Sequence, residues 1–376
     1  MNIRIPVANA TLTEEDAQAV ADAVRSGRIS SGPRVHAFEE AFASYAGVRH
    51  AVAVNNGTSA LHVVLAALGI GPGDEVIVPS LTFIATANAV LYQGAKPVLC
   101  ECDPKTYNVT ADTVSCCITP RTKAVIPVEM NGLPLDYAPL LRLSGETGVP
   151  MIVDSAESLG SGYEGRPTGS QGLAHIFSFF PNKTVTTGEG GMVTTGDSAL
   201  ATRVRTLINQ GQDGRYNHVA LGFNYRMNEM QAALGLSQLK RISWTLRERE
   251  RIAHRYDRAF AGRPGIEPPT RPSHATAHSW YMYSVRLRDR AVRDAAASAL
   301  AERGIETRLS FPPVHIQPYY RDLFNLQPGD FPVSLRAWER KLDIPAWPGL
   351  PESQQDEVID ALAAATAPAA EMAQSV

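Results

Sequence analysis

The chain reads as an α/β protein with a mostly parallel sheet between helices and a smaller C-terminal α+β domain. One observation predicts the first part: from residue 51 to about 210, short apolar runs alternate with helical segments. Near-continuous apolar runs in that arrangement belong to parallel strands buried on both faces. A second observation predicts the smaller domain: the Pro-rich loop Pro264–Pro272 marks a break, after which strands and helices mix differently. With 376 residues and 44% hydrophobic composition the chain can bury a large core. Two domains are expected, residues 1–245 and 246–376.

Residues 12–26 place Ala17, Val20, Ala21 and Val24 at helical spacing behind Thr11 and the acids Glu14, Glu15 and Asp16. That is the pattern of a capped surface helix, which Gly27 ends. The polar stretch Arg28–Pro33 has no secondary-structure period and reads as a turn. A second helix is predicted over Val35–Ala46, with Phe38, Ala41 and Phe42 inward. Strands are then expected at Ala51–Val54, Glu75–Val78, Pro97–Glu101, Ala124–Val128, Met151–Val153, His175–Phe179 and Met192–Thr195. Helices are expected at Ser59–Leu68, Phe83–Tyr92, Ala111–Ile118, Tyr137–Ser144 and Ala199–Ile208. One long helix over about 229–261, with the charged run Arg247–Arg251 as a solvated face, is expected to join the domains. The small domain takes Trp280–Val285, a helix over Ala291–Ala301 and the run from Ile344. The Ala-rich tail after Ala361 is expected to fray.

A formal net charge of −3 gives no general surface for nucleic acid or membrane. No apolar run approaches the roughly 20 residues that span a bilayer, and Met1–Pro6 lacks the apolar core of a secretory signal. A cytoplasmic protein is expected. Cys100, Cys102, Cys116 and Cys117 lack C-x-x-C spacing and read as packing thiols in a reducing compartment, with no metal expected.

The chemistry centres on Lys183, just past the apolar run Phe177–Phe180 and just before the glycines of Gly188–Gly191. A lysine held against apolar and hydroxyl-bearing neighbours can lose its proton near neutral pH, and a neutral amine attacks a carbonyl to make a Schiff base. A lone lysine at a strand end is more often solvated, so its context decides. The run Ile152–Val153 ends in Asp154. Pyridoxal phosphate (PLP) needs both groups: a lysine for its aldehyde, and a carboxylate that keeps its ring nitrogen protonated. It also needs an anion site. Gly57, Thr58 and Ser59 follow a strand and open a helix, so backbone N–H groups, the helix dipole and two hydroxyls converge there. Alone, that triplet is an ordinary helix cap. In a parallel sheet ligands sit beyond the carboxyl ends of the strands, where Gly57, Phe83, Asp154 and Ser178 all fall.

Taken together, these blocks resemble the DegT/DnrJ/EryC1/StrS sugar aminotransferases, which are fold-type-I PLP enzymes. The resemblance runs from Gly27–Pro33 to Leu342–Pro345 and is most specific at Asn56–Leu61, Pro79–Thr86, Lys183–Gly191 and Gly222–Met227. It implies that Lys183 holds PLP, Asp154 meets its ring nitrogen, Phe83 stacks on its ring and Ser178 joins Gly57, Thr58 and Ser59 at its phosphate. It implies a homodimer in which Asn224 reaches the other subunit's cofactor phosphate, so that each site is built from two chains. It also implies substrate contacts from the loop holding Ser31 and from His315 in Pro312–Pro318. On the residues alone, a simple turn and a structural histidine fit these two positions equally. Glu157 and Glu129 depart from the family pattern, which commonly has Gln or His at the first place and His at the second. A carboxyl near the cofactor's 3′ oxygen must share a proton, so Glu157 either tunes the ring's protonation or meets the substrate.

The implied reaction moves an amino group from an amino acid, L-glutamate by resemblance, to a nucleotide-linked keto sugar. A 4-keto-6-deoxyhexose is the first expectation; a C3-keto sugar or scyllo-inosose is the alternative. Two other classes share the fold: PLP-dependent sugar dehydratases and non-catalytic regulators. Dehydratase relatives often replace the lysine by His, and Lys183 is intact. No helix-turn-helix with a basic face is visible to support a regulator.

Overall fold

A computed structural model of the chain describes residues 3–367. The expected strands form, in the spatial order Lys96–Cys100, Glu75–Pro79, Thr122–Val125, Ile152–Asp154, Ala174–Ser178, Gly191–Thr195 and His50–Val54. Parallel bridges between Val125 and Met151 and between Val128 and Asp154 join the three-stranded and four-stranded parts into one sheet. Neighbours are parallel except at Gly191–Thr195, which runs against both of its partners. The reversal has a local cause. The link from Ser178 to Gly191 contains the Lys183 turn and no helix, and a chain that makes no crossover returns antiparallel.

Side-chain alternation along the strands serves two cores. Val52, Val54, Ile176 and Val193 face the helices Gly57–Ala67 and Ser198–Ile208. Ala51, Ala53, Phe177 and Phe179 face Phe38 and Phe42 of the helix Pro33–Ala46. The Phe42 and Phe177 ring centroids lie 5.0 Å apart. Truncating Phe42 to alanine would cost about 3–5 kcal/mol and would loosen the strand that leads into the Lys183 turn.

Two expectations about helices change. The first helix, Glu14–Arg25, is capped by Thr13 rather than Thr11, with Asp16 returning the bond to the Thr13 N–H at 3.0 Å. The Thr11 hydroxyl instead donates to the Pro348 carbonyl at 3.1 Å. In place of one helix over 229–261 there are two, Glu229–Lys240 and Ile242–Phe260. They break at Arg241, whose φ of −109° and ψ of 12° leave the helix while its guanidinium pairs with buried Asp16 at 2.7 Å. The break lets the first helix lie on Glu14–Arg25 and Pro33–Ala46. The second carries Ile252, Ala253, Tyr256 and Phe260 into a separate core.

That core is formed with an antiparallel sheet of Ile266–Glu267, Tyr283–Leu287 and Lys341–Ile344. Helices Arg290–Glu302 and Glu352–Thr366 contribute Leu300 and Leu362, and Ile5 joins them from the N-terminus. The last helix continues past Ala361, where fraying was expected, because Ala361 and Leu362 are buried; the tail beyond residue 367 lies outside the described residues. Among the described residues no helix is long and apolar enough to cross a membrane. Cys100 and Cys102 are buried thiols, Cys117 is half-buried and Cys116 exposed.

Candidate active site

Three backbone segments crowd together beyond the strand ends. Ser178 pairs in register with Gly191. A Cβ on Gly57 would stand 2.9 Å from the Ser178 Cβ, and one on Gly191 would stand 2.7 Å from the Asn56 carbonyl oxygen. Both positions therefore require glycine for closeness rather than for backbone freedom. Asn56 caps the Gly57–Ala67 helix by accepting the Ser59 N–H at 2.8 Å. The amides of Gly57 and Thr58, in the first turn, have no intrahelical acceptor and carry the positive end of the helix dipole. Beside them the Asn55 side-chain oxygen is buried without a hydrogen-bond partner, and the Asn55 N–H donates to the Tyr225 carbonyl at 2.8 Å.

Asp154 ends its strand as a buried carboxyl. It accepts the Thr86 hydroxyl at 2.9 Å and the Ala156 N–H at 3.1 Å. Burial raises its pKa, against the pull of those two donors and of the Lys183 charge. Thr86 is held in turn by Thr82 at 3.0 Å. Phe83 lies in the same turn with half its surface exposed, its ring 5.2 Å from that of Phe311.

Glu157 is buried and accepts the Asn131 N–H at 2.7 Å. Asn131 offers that N–H from a left-handed backbone, φ 59°. Burial raises the Glu157 pKa, and the Lys183 charge opposes this. Lys183 Nζ stands 3.9 Å from Glu157 Oε1 and 3.8 Å from the centroid of the Tyr281 ring, with 12% of its side chain exposed. The lysine is held, as its sequence context predicts. A cation over an aromatic face gains about 0.5–2 kcal/mol, depending on desolvation.

Glu129 stands behind this group. It is fully buried and accepts hydroxyls from Tyr137 at 2.7 Å and Ser155 at 2.8 Å, and from Ser158. Burial pushes its carboxyl up to about 7. Ser155 and Ser158 bracket Glu157 in sequence, so Glu129 fastens the acid-bearing turn from its rear.

The remaining expected residues fall at the margin. Asn224 is exposed and accepts the Arg226 guanidinium at 3.0 Å. Ser31 is exposed on a loop tied to Glu229, whose N–H donates to the Ser30 carbonyl at 3.0 Å. His315, expected from the resemblance near the substrate, is placed below the surface. It is wholly buried, with Nδ1 2.6 Å from the Ser80 hydroxyl and Nε2 3.2 Å from the Pro328 carbonyl. Neither nitrogen is left for a diphosphate. Thr86, Asn131 and Tyr281 were not singled out in the sequence. Only the adjacency of Thr86 to Phe83 could have suggested one of them.

The group fits PLP. Two amides without intrahelical acceptors and a helix dipole suit its phosphate, a buried carboxyl suits a ring cation, and a confined amine suits its aldehyde. Residues 10–363 match the DegT/DnrJ/EryC1/StrS aminotransferase family. The chain is 45% identical over 366 residues to GDP-perosamine synthase of Caulobacter vibrioides, covering 96% of this chain and 97% of that one. It superposes on DesV of S. venezuelae with a TM-score of 0.89 at 38% identity, covering 94% and 95% of the two chains. The PLP form of Spr1654 from Streptococcus pneumoniae gives a TM-score of 0.92 at 28% identity, covering 97% and 99%. With the lysine, the acid and the anion turn in one place, the chain belongs to the DegT/DnrJ/EryC1/StrS aminotransferase family and is a PLP-dependent sugar aminotransferase.

Proposed function

We propose that the chain moves an amino group from L-glutamate to C4 of a nucleotide-linked 4-keto-6-deoxyhexose, as a cytoplasmic homodimer whose sites each include Asn224 of the other subunit. The observation that carries the chemistry is the placing of the Lys183 amine between the Glu157 carboxylate and the Tyr281 ring. When bound, PLP supplies an aldehyde for that amine and a ring that accepts electrons from the carbon losing its proton. Lys183 holds the cofactor at rest and carries the proton while freed from it. Asp154 would keep the ring nitrogen charged, and that cation would offset the burial that raises the Asp154 pKa. Gly57, Thr58, Ser59 and Ser178 hold the phosphate, and Phe83 covers the ring. Glu157, anchored by Asn131, lies within a small movement of the amine and can take up or return a proton there. Ser31 lies where the loop meets the substrate.

Likeness to a GDP-perosamine synthase over nearly the whole of both chains supports a nucleotide-linked deoxyamino sugar as product. The test is a panel of acceptors, each supplied with L-glutamate while 2-oxoglutarate release is followed. Turnover with a nucleotide-linked 4-keto-6-deoxyhexose is expected; turnover only with a 3-keto sugar or scyllo-inosose overturns the acceptor. Mixing the inactive Lys183→Ala and Asn224→Ala variants is expected to restore activity through hybrid dimers, and a strict absence overturns the shared site.

A further inference from the structure

One buried cation near the site has no role in the chemistry above. Arg249 is 3% exposed on the helix Ile242–Phe260. Its partners are carbonyls. Nη1 donates to Trp280 at 2.6 Å, Tyr281 at 3.3 Å and Ala346 at 3.4 Å, and Nη2 donates to Asn182 at 3.2 Å. Nε is buried without a partner. Burial depresses the guanidinium to about 10. A charge in this setting is costly, and a well-packed apolar residue would often serve stability as well or better. Its use lies in what it joins.

Asn182 is the chain neighbour of Lys183, and Tyr281 supplies the ring 3.8 Å from the Lys183 amine. The two segments are far apart in sequence and meet at one guanidinium. The planar fork of arginine sends donors in several fixed directions, which a single ammonium group does not. The helix bearing Arg249 also crosses between cores, with Ile242 in one and Ile252 in the other. We propose that Arg249 is the positioning residue for Lys183: it ties the turn that carries the lysine to the segment that carries Tyr281, and so fixes the amine between the Tyr281 ring and Glu157. This rests on Lys183 being the cofactor's amine and is independent of which sugar is used.

The test compares wild type with Arg249→Met, which keeps much of the stem, and Arg249→Lys, which keeps the charge and loses the fork. Trace acylation of the PLP-free protein is read by mass spectrometry at Lys183, with exposed Lys123 as internal reference. Both variants are expected to label at Lys183 about tenfold faster relative to Lys123, as for a side chain released by local opening. With cofactor restored, kcat for the half-reaction with L-glutamate is expected to fall about 10²-fold, the scale of a misplaced catalytic group, while KM changes little. Wild-type labelling and kcat in either folded variant overturn the assignment; should Arg249→Met not fold, Arg249→Lys carries the same measurement. Borohydride reduction of the wild-type holoenzyme fixes the cofactor on Lys183 if the underlying reading is right, so a failure there is distinct from a failure of Arg249.

Discussion

Gly57 and Ser178 touch so closely that a single added methyl on the glycine would lie 2.9 Å from the serine Cβ. The contact brings the start of one helix against the end of a strand, and it sets the width of the anion turn. Gly57→Ala is expected to push Ser178 outward and to weaken PLP binding at least about tenfold, or roughly 1.4 kcal/mol. Titrating PLP into the cofactor-free variant and following the visible band measures this. Wild-type affinity would show that the contact has no part in holding the phosphate.

Asp154→Asn separates the acid's chemical role from its structural one. Burial already works against the ionised form, so the cofactor-free variant should melt no lower than wild type. The amide can still accept from Thr86 but cannot balance a ring cation. A loss of about 10²–10⁴ in kcat is expected, on the scale of displaced acid–base groups, with an altered visible band. Normal turnover would remove the ring-nitrogen role.

Much of this site could be read from the chain because its parts sit at strand ends. Lys183, Asp154 and Gly57 each follow an apolar run, and the alternation of runs and helices places such ends on one edge of a sheet. The reversed strand was not read from the chain, although the lack of a helical pattern between Ser178 and Gly191 carries its signal. Tyr281 and Arg249 were not read either: Tyr281 meets Lys183 only through the tertiary fold, and Arg249, which bonds the neighbouring Asn182 carbonyl, stands in a charged run read as a solvated face yet is buried. The break at Arg241 escaped for a different reason: apolar periodicity continues across it, and the partners of its guanidinium, Asp16 and the Thr11 carbonyl, lie far away in sequence. His315 could be either a ligand or a packed residue in sequence, and its burial with both nitrogens engaged favours packing.

That reading of His315 is testable. His315→Ala would orphan the Ser80 hydroxyl and leave a void beside Phe331, whose ring lies 5.1 Å away. A stability loss of about 2–3 kcal/mol is expected from an unsatisfied buried polar group together with lost packing. The KM for the sugar nucleotide, measured below the variant's melting range, should stay near wild type. A raised KM with unchanged melting would return His315 to the substrate.

Glu129 gives the clearest dependence on pH. Its carboxyl sits at about 7 in the folded protein against an ordinary value of 4.5, because burial outweighs its three hydroxyl donors. Between those two values the folded chain keeps a proton that the unfolded chain has released. This contribution to stability is complete below about pH 4.5, declines as pH rises, and is gone above about 7. Glu129→Gln removes the titration, so its stability relative to wild type should rise with pH across that window by up to about 3 kcal/mol. The amide must also be accommodated by the hydroxyls of Tyr137 and Ser158, but that cost is the same at every pH and leaves the slope untouched. Urea unfolding of both proteins at several pH values between 4.5 and 8 reads the difference directly. Parallel curves would mean that Glu129 is ionised throughout, and that the turn carrying Asp154 and Glu157 is fastened by a permanent charge.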